Sequence, residues 1–252
     1  MAGTMDSVTM TGPNAESVEM LLRDELAQGD ATLSTATPIL RYLLRNEDQA
    51  LFSDQIVAGV RGMLTDVARQ MLHVQAEAAQ VTDPAGFVAE REDALAQALF
   101  SEAALLRQAQ ALAFEAQLTL RLQAQVGIDP VLSPLLQDLM AMDGDLVASV
   151  AMASLAAQAR FIQHCRRMEL PVGELPAEVF HQALLVFRYH AGGDDAAAAE
   201  RVLRQGYDES KSRLGLLSRL VMRLGQHAPG ALDVQRAGLP IFATALAMAS
   251  WQ

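Results

Sequence analysis

The stretch DQIVAGVRGMLTDVARQMLHVQAEAAQ, residues 54 to 80, decides the fold class. Its apolar residues Ile56, Val60, Met63, Val67, Met71, Val74 and Ala78 follow one another at steps of three or four. On a backbone with 3.6 residues per turn those steps form a single stripe, which predicts one long amphipathic helix with Ser53 as its cap. A second long helix is predicted from Ser101 to Gly127. There Leu99, Leu106, Ala113 and Leu120 recur every seven residues, with Ala109 and Ala116 between them. Small side chains on that seam let another helix approach closely, so the two stripes suggest an antiparallel hairpin or a dimer seam.

Composition points the same way. The 252 residues include 44 Ala and 37 Leu against 18 Val and 5 Ile, with 5% aromatics. Alanine and leucine lose little rotamer freedom in a helix, whereas strands favour the branched and aromatic side chains that are scarce here. No segment alternates with a period of two. The expected fold is all-α, a multi-helix bundle of about ten helices, with loosely paired helical repeats as a variant arrangement.

The remaining helices are bounded by caps and prolines. A small, polar tail over residues 1 to 13 is expected to be disordered, leaving 14 to 252 as a single helical domain with a subdivision conceivable near 127 to 145. Helices are expected over 15 to 28, from Pro38, from Pro84 to Phe100, from Asp129 to Met142 and from Asp145 to Arg167. Between Leu146 and Ala159 the last of these has only Ser149, Ser154 and Gln158 as polar residues, so it is expected to be the central helix. Further helices are expected from Pro176 to His190, from Asp194, from Asp208 to Leu224 and from Pro240.

Several chemistries are disfavoured. A net charge of −11 argues against general nucleic-acid binding, which needs a surplus of cations. The charge is uneven: residues 1 to 150 carry 8 cations and 21 anions, residues 151 to 252 carry 11 and 9. Arg204 follows Glu200 by four and Arg213 follows Glu209 by four, which reads as surface pairing. One cysteine leaves no C-x-x-C site and no internal disulfide. The opening residues show no secretory signal, and the uncharged run from Leu146 to Ala159 falls short of the roughly 20 residues a bilayer needs. A cytoplasmic protein without membrane insertion is expected. Its single lysine, Lys211, beside 18 arginines suggests a GC-rich, bacterial source.

FIQHCRRMELPVGELPAEVF, residues 161 to 180, looks most like a motif, with a His beside the Cys and E-L-P written twice. Arg160, Arg166 and Arg167 fall at a helix end, where cations suit the negative end of the macrodipole. Pro171 stops one helix and Pro176 starts the next, so the stretch reads as a corner with Leu170 and Leu175 plugging the core. The competing reading makes Arg160, Arg166 and Arg167, with Arg188 one helix later, an anion or partner contact. His164 and Cys165 point about 100° apart on a helix, so they cannot form a local thiolate pair. Glu178 and His181 supply half of a di-iron pattern, whose second copy is missing.

These readings converge on a non-enzymatic helical scaffold or regulatory module that binds a protein partner, with no cofactor. The stripes of Ile56, Val60, Met63, Val67, Met71, Val74, Leu106, Ala109, Ala113, Ala116 and Leu120 are expected to pack in the core of one subunit, with a homodimer seam through the same residues as the competing reading. A small-molecule or anion sensor with a pocket between helices is the alternative, and a metal-dependent helical-bundle enzyme the second.

Overall fold

The structure, a computed structural model, describes Val18, residues 20 to 24, 54 to 142 and 145 to 250. The expected tail over 1 to 13 and the expected helix from Pro38 lie outside the described residues. Nine α-helices are present among the described residues beyond 54: α1 (Asp54–Ala78), α2 (Pro84–Phe100), α3 (Ala103–Val126), α4 (Pro134–Met140), α5 (Asp145–Arg167), α6 (Ala177–Ala191), α7 (Gly193–Gly206), α8 (Arg213–Val221) and α9 (Val234–Ser250). Three 3-10 segments, Val172–Glu174, Glu209–Lys211 and Gly225–Leu232, join them, and there is no strand among the described residues. The protein is an all-α multi-helix bundle.

Two apolar cores organise these helices. In the first, Met63, Val67 and Met71 of α1 pack with Leu95 and Leu99 of α2, Leu105 of α3 and Phe187 of α6. In the second, Leu135 and Leu139 of α4 meet Val150 and Ala151 of α5, Leu217 and Leu220 of α8 and Ile241 of α9, with Val18 and Leu22 added. Each fully buried large side chain contributes about 1.5 to 3 kcal/mol relative to exposure. The cores interleave along the chain, because the first draws on residues 63 to 112 and 170 to 199 and the second on 135 to 151 and 217 to 249. Helix α5 serves both: Val150 and Ala151 belong to the second core, while Phe161 and Cys165 pack against the first.

Most helix limits follow their caps, and four are corrected, among them α9, which begins at Val234 rather than Pro240 and bends where Gly238 takes φ 71°. Asp83 accepts from Gly86 N at 3.0 Å at the start of α2, and Gly127 ends α3 at φ 71°, a left-handed value glycine adopts freely. Ser101, expected to cap α3, instead closes α2, its Oγ donating to Gln97 O, and Glu102 caps α3. Asp129 accepts from Val131 N and Leu132 N in a turn, so α4 starts later, with Ser133 as its cap. The helix expected from Asp208 is divided: a 3-10 turn comes first and Ser212 caps α8.

Helix α5 departs from expectation in a second way. It was expected to be covered on every side, yet Leu146 is 70% and Met152 56% exposed. From Leu146 to Arg167 it is, by length and composition, long and apolar enough to cross a membrane, with 22% of its most apolar window buried. Its apolar outer face follows from its position, since α5 is held along one flank between the cores.

The E-L-P corner is pinned by polar residues of α1. Asp66 Oδ2 accepts from Leu170 N at 2.9 Å, Gln70 Nε2 donates to Leu170 O at 2.9 Å, and Val172 N donates to Gln70 Oε1 at 3.0 Å. Burial of the Asp66 carboxylate raises its pKa, an effect opposed by the bonds from Leu170 and Gln70. Leu170 and Leu175 are buried as expected, at 4% and 0% exposure. Met168 turns the chain at φ 57°, which costs a side-chain-bearing residue about 1 kcal/mol or more. A Cβ on Gly62 would lie 2.5 Å from Met168 Cβ and 3.0 Å from Met168 O.

This contact reverses an ordinary helix rule. Gly→Ala in a helix normally gains about 1 kcal/mol, but Gly62→Ala is expected to lose about 2 kcal/mol through overpacking. In a Met168→Gly background the loss should shrink, because the opposing Cβ is gone and glycine suits the left-handed turn. Urea unfolding of the two single variants and the double variant measures this, and a stabilising Gly62→Ala would show that α1 and the corner are not in close contact.

Candidate functional site

Arg213 opens α8 in the body of the protein at 2% exposure, rather than lying on the surface beside Glu209 as its spacing suggested. Its two terminal nitrogens meet the two carboxylate oxygens of Glu115 on α3, each at 2.6 Å. One of those nitrogens also donates to Gln158 Oε1 on α5 at 3.1 Å, and the guanidinium lies 3.8 Å above the Phe161 ring. The forked, planar cation suits all three contacts at once, which a lysine could not do. Gln158 passes the connection on, its Nε2 donating to Pro130 O at 3.0 Å. The backbone N of Arg213 donates to Glu174 Oε2 at 2.7 Å, so the second E-L-P glutamate caps this assembly. Glu209, freed from Arg213, accepts from Ala177 N at the start of α6.

These bonds form a clamp between the two cores. Phe161 packs against the first core and Glu115 belongs to α3, whose Leu105, Ala109 and Leu112 lie in it, while Leu217 and Leu220 carry α8 into the second. The sequence does carry a signal for it: Arg213 is in phase with the buried Leu217 and Leu220, four and seven residues on. A charge in register with an apolar stripe needs a buried partner.

A groove of about 550 Å³ lies directly beside the clamp. Leu214, Leu217 and Ser218 of α8 form one wall, Pro240, Ala243 and Ala247 of α9 the other, and Glu115 and Arg213 lie at its base. Its lining is mainly apolar and its one ion pair is internally neutralised.

A second groove, of about 290 Å³, runs between α1, α3 and the end of α5. It gathers part of both residue sets singled out in the sequence: Ile56, Met63, Ala113, Ala116 and Leu120 of the seam, and Arg166. The rest of the seam is occupied elsewhere. Val67, Met71 and Ala109 are buried in the first core, as is the inner side of Met63, with Val60 and Val74 packed against it, because α2, α3 and α7 cover the α1 stripe. Leu106 and Leu120 are exposed.

The four arginines do not form one cluster. Arg160 and Arg167, seven residues apart, share the outer face of α5, whereas Arg166 lies about 100° from Arg167 and borders the groove. Arg188 pairs with Glu200 at 3.1 Å and donates to Gly193 O, both on α7. Among the described residues no group of three or more His, Cys, Asp or Glu side chains could hold a metal, and His181 Nδ1 lies 3.2 Å from Arg204.

The Cys165 thiol borders the smaller groove, and burial pushes its pKa up to about 12, opposed by Arg213 and reinforced by Glu115. A thiol held protonated is a poor nucleophile. Tyr207 is likewise pushed up to about 12 by burial, its hydroxyl donating to Leu175 O at 2.8 Å. No protein-family model, curated protein or solved structure matches this chain.

Two outcomes follow for stability. Arg213→Met or Glu115→Leu alone is expected to cost about 3 to 5 kcal/mol, because each strands a buried charge. The double variant should cost clearly less than the sum, and strictly additive losses in urea unfolding would show that the pair is not coupled. For Cys165, whose folded pKa is raised, the stabilising contribution is complete below about pH 9 and is lost as pH rises towards 12. Between pH 8 and pH 10 the wild type should therefore lose about 1 kcal/mol more stability than Cys165→Ala, and equal losses would contradict the burial of the thiol.

Proposed function

We propose that the protein is a non-enzymatic helical regulatory module that binds an apolar helix of a protein partner in the groove between α8 and α9. The observation that carries this reading is the position of the groove: its base is the Glu115–Arg213 pair that joins the two cores. Ala243 and Ala247, one turn apart and exposed, let a partner backbone approach closely, and Leu214 and Met248 offer apolar contact. A helix seated there touches the clamp, so its binding and the coupling of the cores are linked free energies. The protonated, half-buried thiol and phenol fit a binding role better than a nucleophilic one.

Filling the groove tests this reading. Ala247→Trp should keep the helical circular-dichroism spectrum of the wild type and lose, by roughly tenfold or more, the capture of partners by photocrosslinking in native extract. Ala156→Trp, on the exposed face of α5, serves as the control and should leave capture unchanged. The same proteins crosslinked to wild type and Ala247→Trp would overturn the assignment of the groove.

A further inference from the structure

The smaller groove has a different chemical character. Its walls are apolar or small, from Ile56, Met63, Leu120, Ile162 and Met168, and the single charge at its edge is Arg166. That arginine is exposed and has no ion pair or hydrogen bond among the described residues. It differs in this from Arg69, Arg188, Arg204, Arg213 and Arg236, which all meet carboxylates. No carboxylate lines the groove, although the chain as a whole carries a charge of −11. The amides of Gln55 and Gln117 stand in the same lining and add donors of suitable polarity.

We propose that this groove binds a single-chain anionic amphiphile, with its head group on Arg166 and its hydrocarbon tail along Ile56, Met63 and Leu120. Charge complementarity selects the anion: an unpaired guanidinium beside an apolar surface favours a carboxylate or phosphate over a neutral or cationic head. Size selects the class of ligand. A volume of about 290 Å³ stands at the lower end of small-molecule pockets, roughly 300 to 1,000 Å³, while a helix about 10 Å across needs a wider bed. The site is separate from the α8–α9 groove and stands or falls independently of the partner-helix reading.

Isothermal titration of the full chain with laurate, dodecyl phosphate and dodecanol, below their aggregation thresholds, tests the proposal. Laurate or dodecyl phosphate should bind, dodecanol roughly tenfold more weakly, and whichever anion binds more tightly identifies the head group as carboxylate or phosphate. Arg166→Glu should weaken the anion by roughly tenfold or more and leave dodecanol unaffected, and Arg166→Gln should fall between. Arg160→Glu, which changes the same charge about 120° round α5 and outside the groove lining, should have no effect. Ala116→Phe, which fills the groove, should abolish binding of all three while the thermal transition persists. Equal affinity for laurate, dodecyl phosphate and dodecanol, equal losses in Arg160→Glu and Arg166→Glu, no binding of either anion, or capture only of an acidic amphipathic peptide would each overturn it.

Discussion

A bidentate ion pair between Arg213 and Glu115 holds two apolar cores in one molecule. Taken out of water singly, either charge would be prohibitively costly, and together they are tolerable because a further N–H of Arg213 reaches Gln158 and the cation lies over the Phe161 ring. The arrangement therefore fixes more than energy. It sets the distance between α3 and α8, the rotation of α5 about its axis and the entry of α8 into the second core. A purely hydrophobic contact there could tolerate sliding, whereas four directional contacts specify one register.

The doubled E-L-P sequence is the covalent counterpart of this clamp. In each copy the glutamate makes a polar bond, the leucine is buried and the proline limits a helix. Glu169 meets His164 at 3.0 Å, and Glu174 accepts from the backbone of Arg213. Asp66 and Gln70 complete the corner from α1 by taking the backbone groups of Leu170 and Val172 that no helix satisfies. The corner is thus architectural, yet the helix entering it presents Arg166 to a groove on one side and Arg160 and Arg167 to solvent on the other.

The helical class and most element limits were legible because periodicity, caps and prolines are local properties. The 54 to 80 stripe and Gly127 illustrate this: each is determined within a few residues. Arg213 was misread for the opposite reason. Glu209 four residues earlier offered a plausible local pair, but the partner chosen by the fold lies on α3, and nothing local specifies a contact across that separation. The α1 stripe is apolar in the sequence, but what covers it is not local information, since one stripe serves equally for α2, α3 and α7 of the same chain or for a second chain. Likewise the outer face of α5 could not be seen in a run that is apolar on every side, because such a run carries no phase. The grooves belong to the same category, being spaces defined by three or more elements at once.

Native-state hydrogen exchange as a function of urea, followed at the buried amides of α2 and α9, tests most directly whether the clamp unites the cores. In the wild type the amides of both helices should merge into one global opening with a common free energy and a common urea dependence. In Arg213→Met they should separate into two openings, one for each core. Separate openings already in the wild type, or a single merged opening in the variant, would contradict the role given to the ion pair.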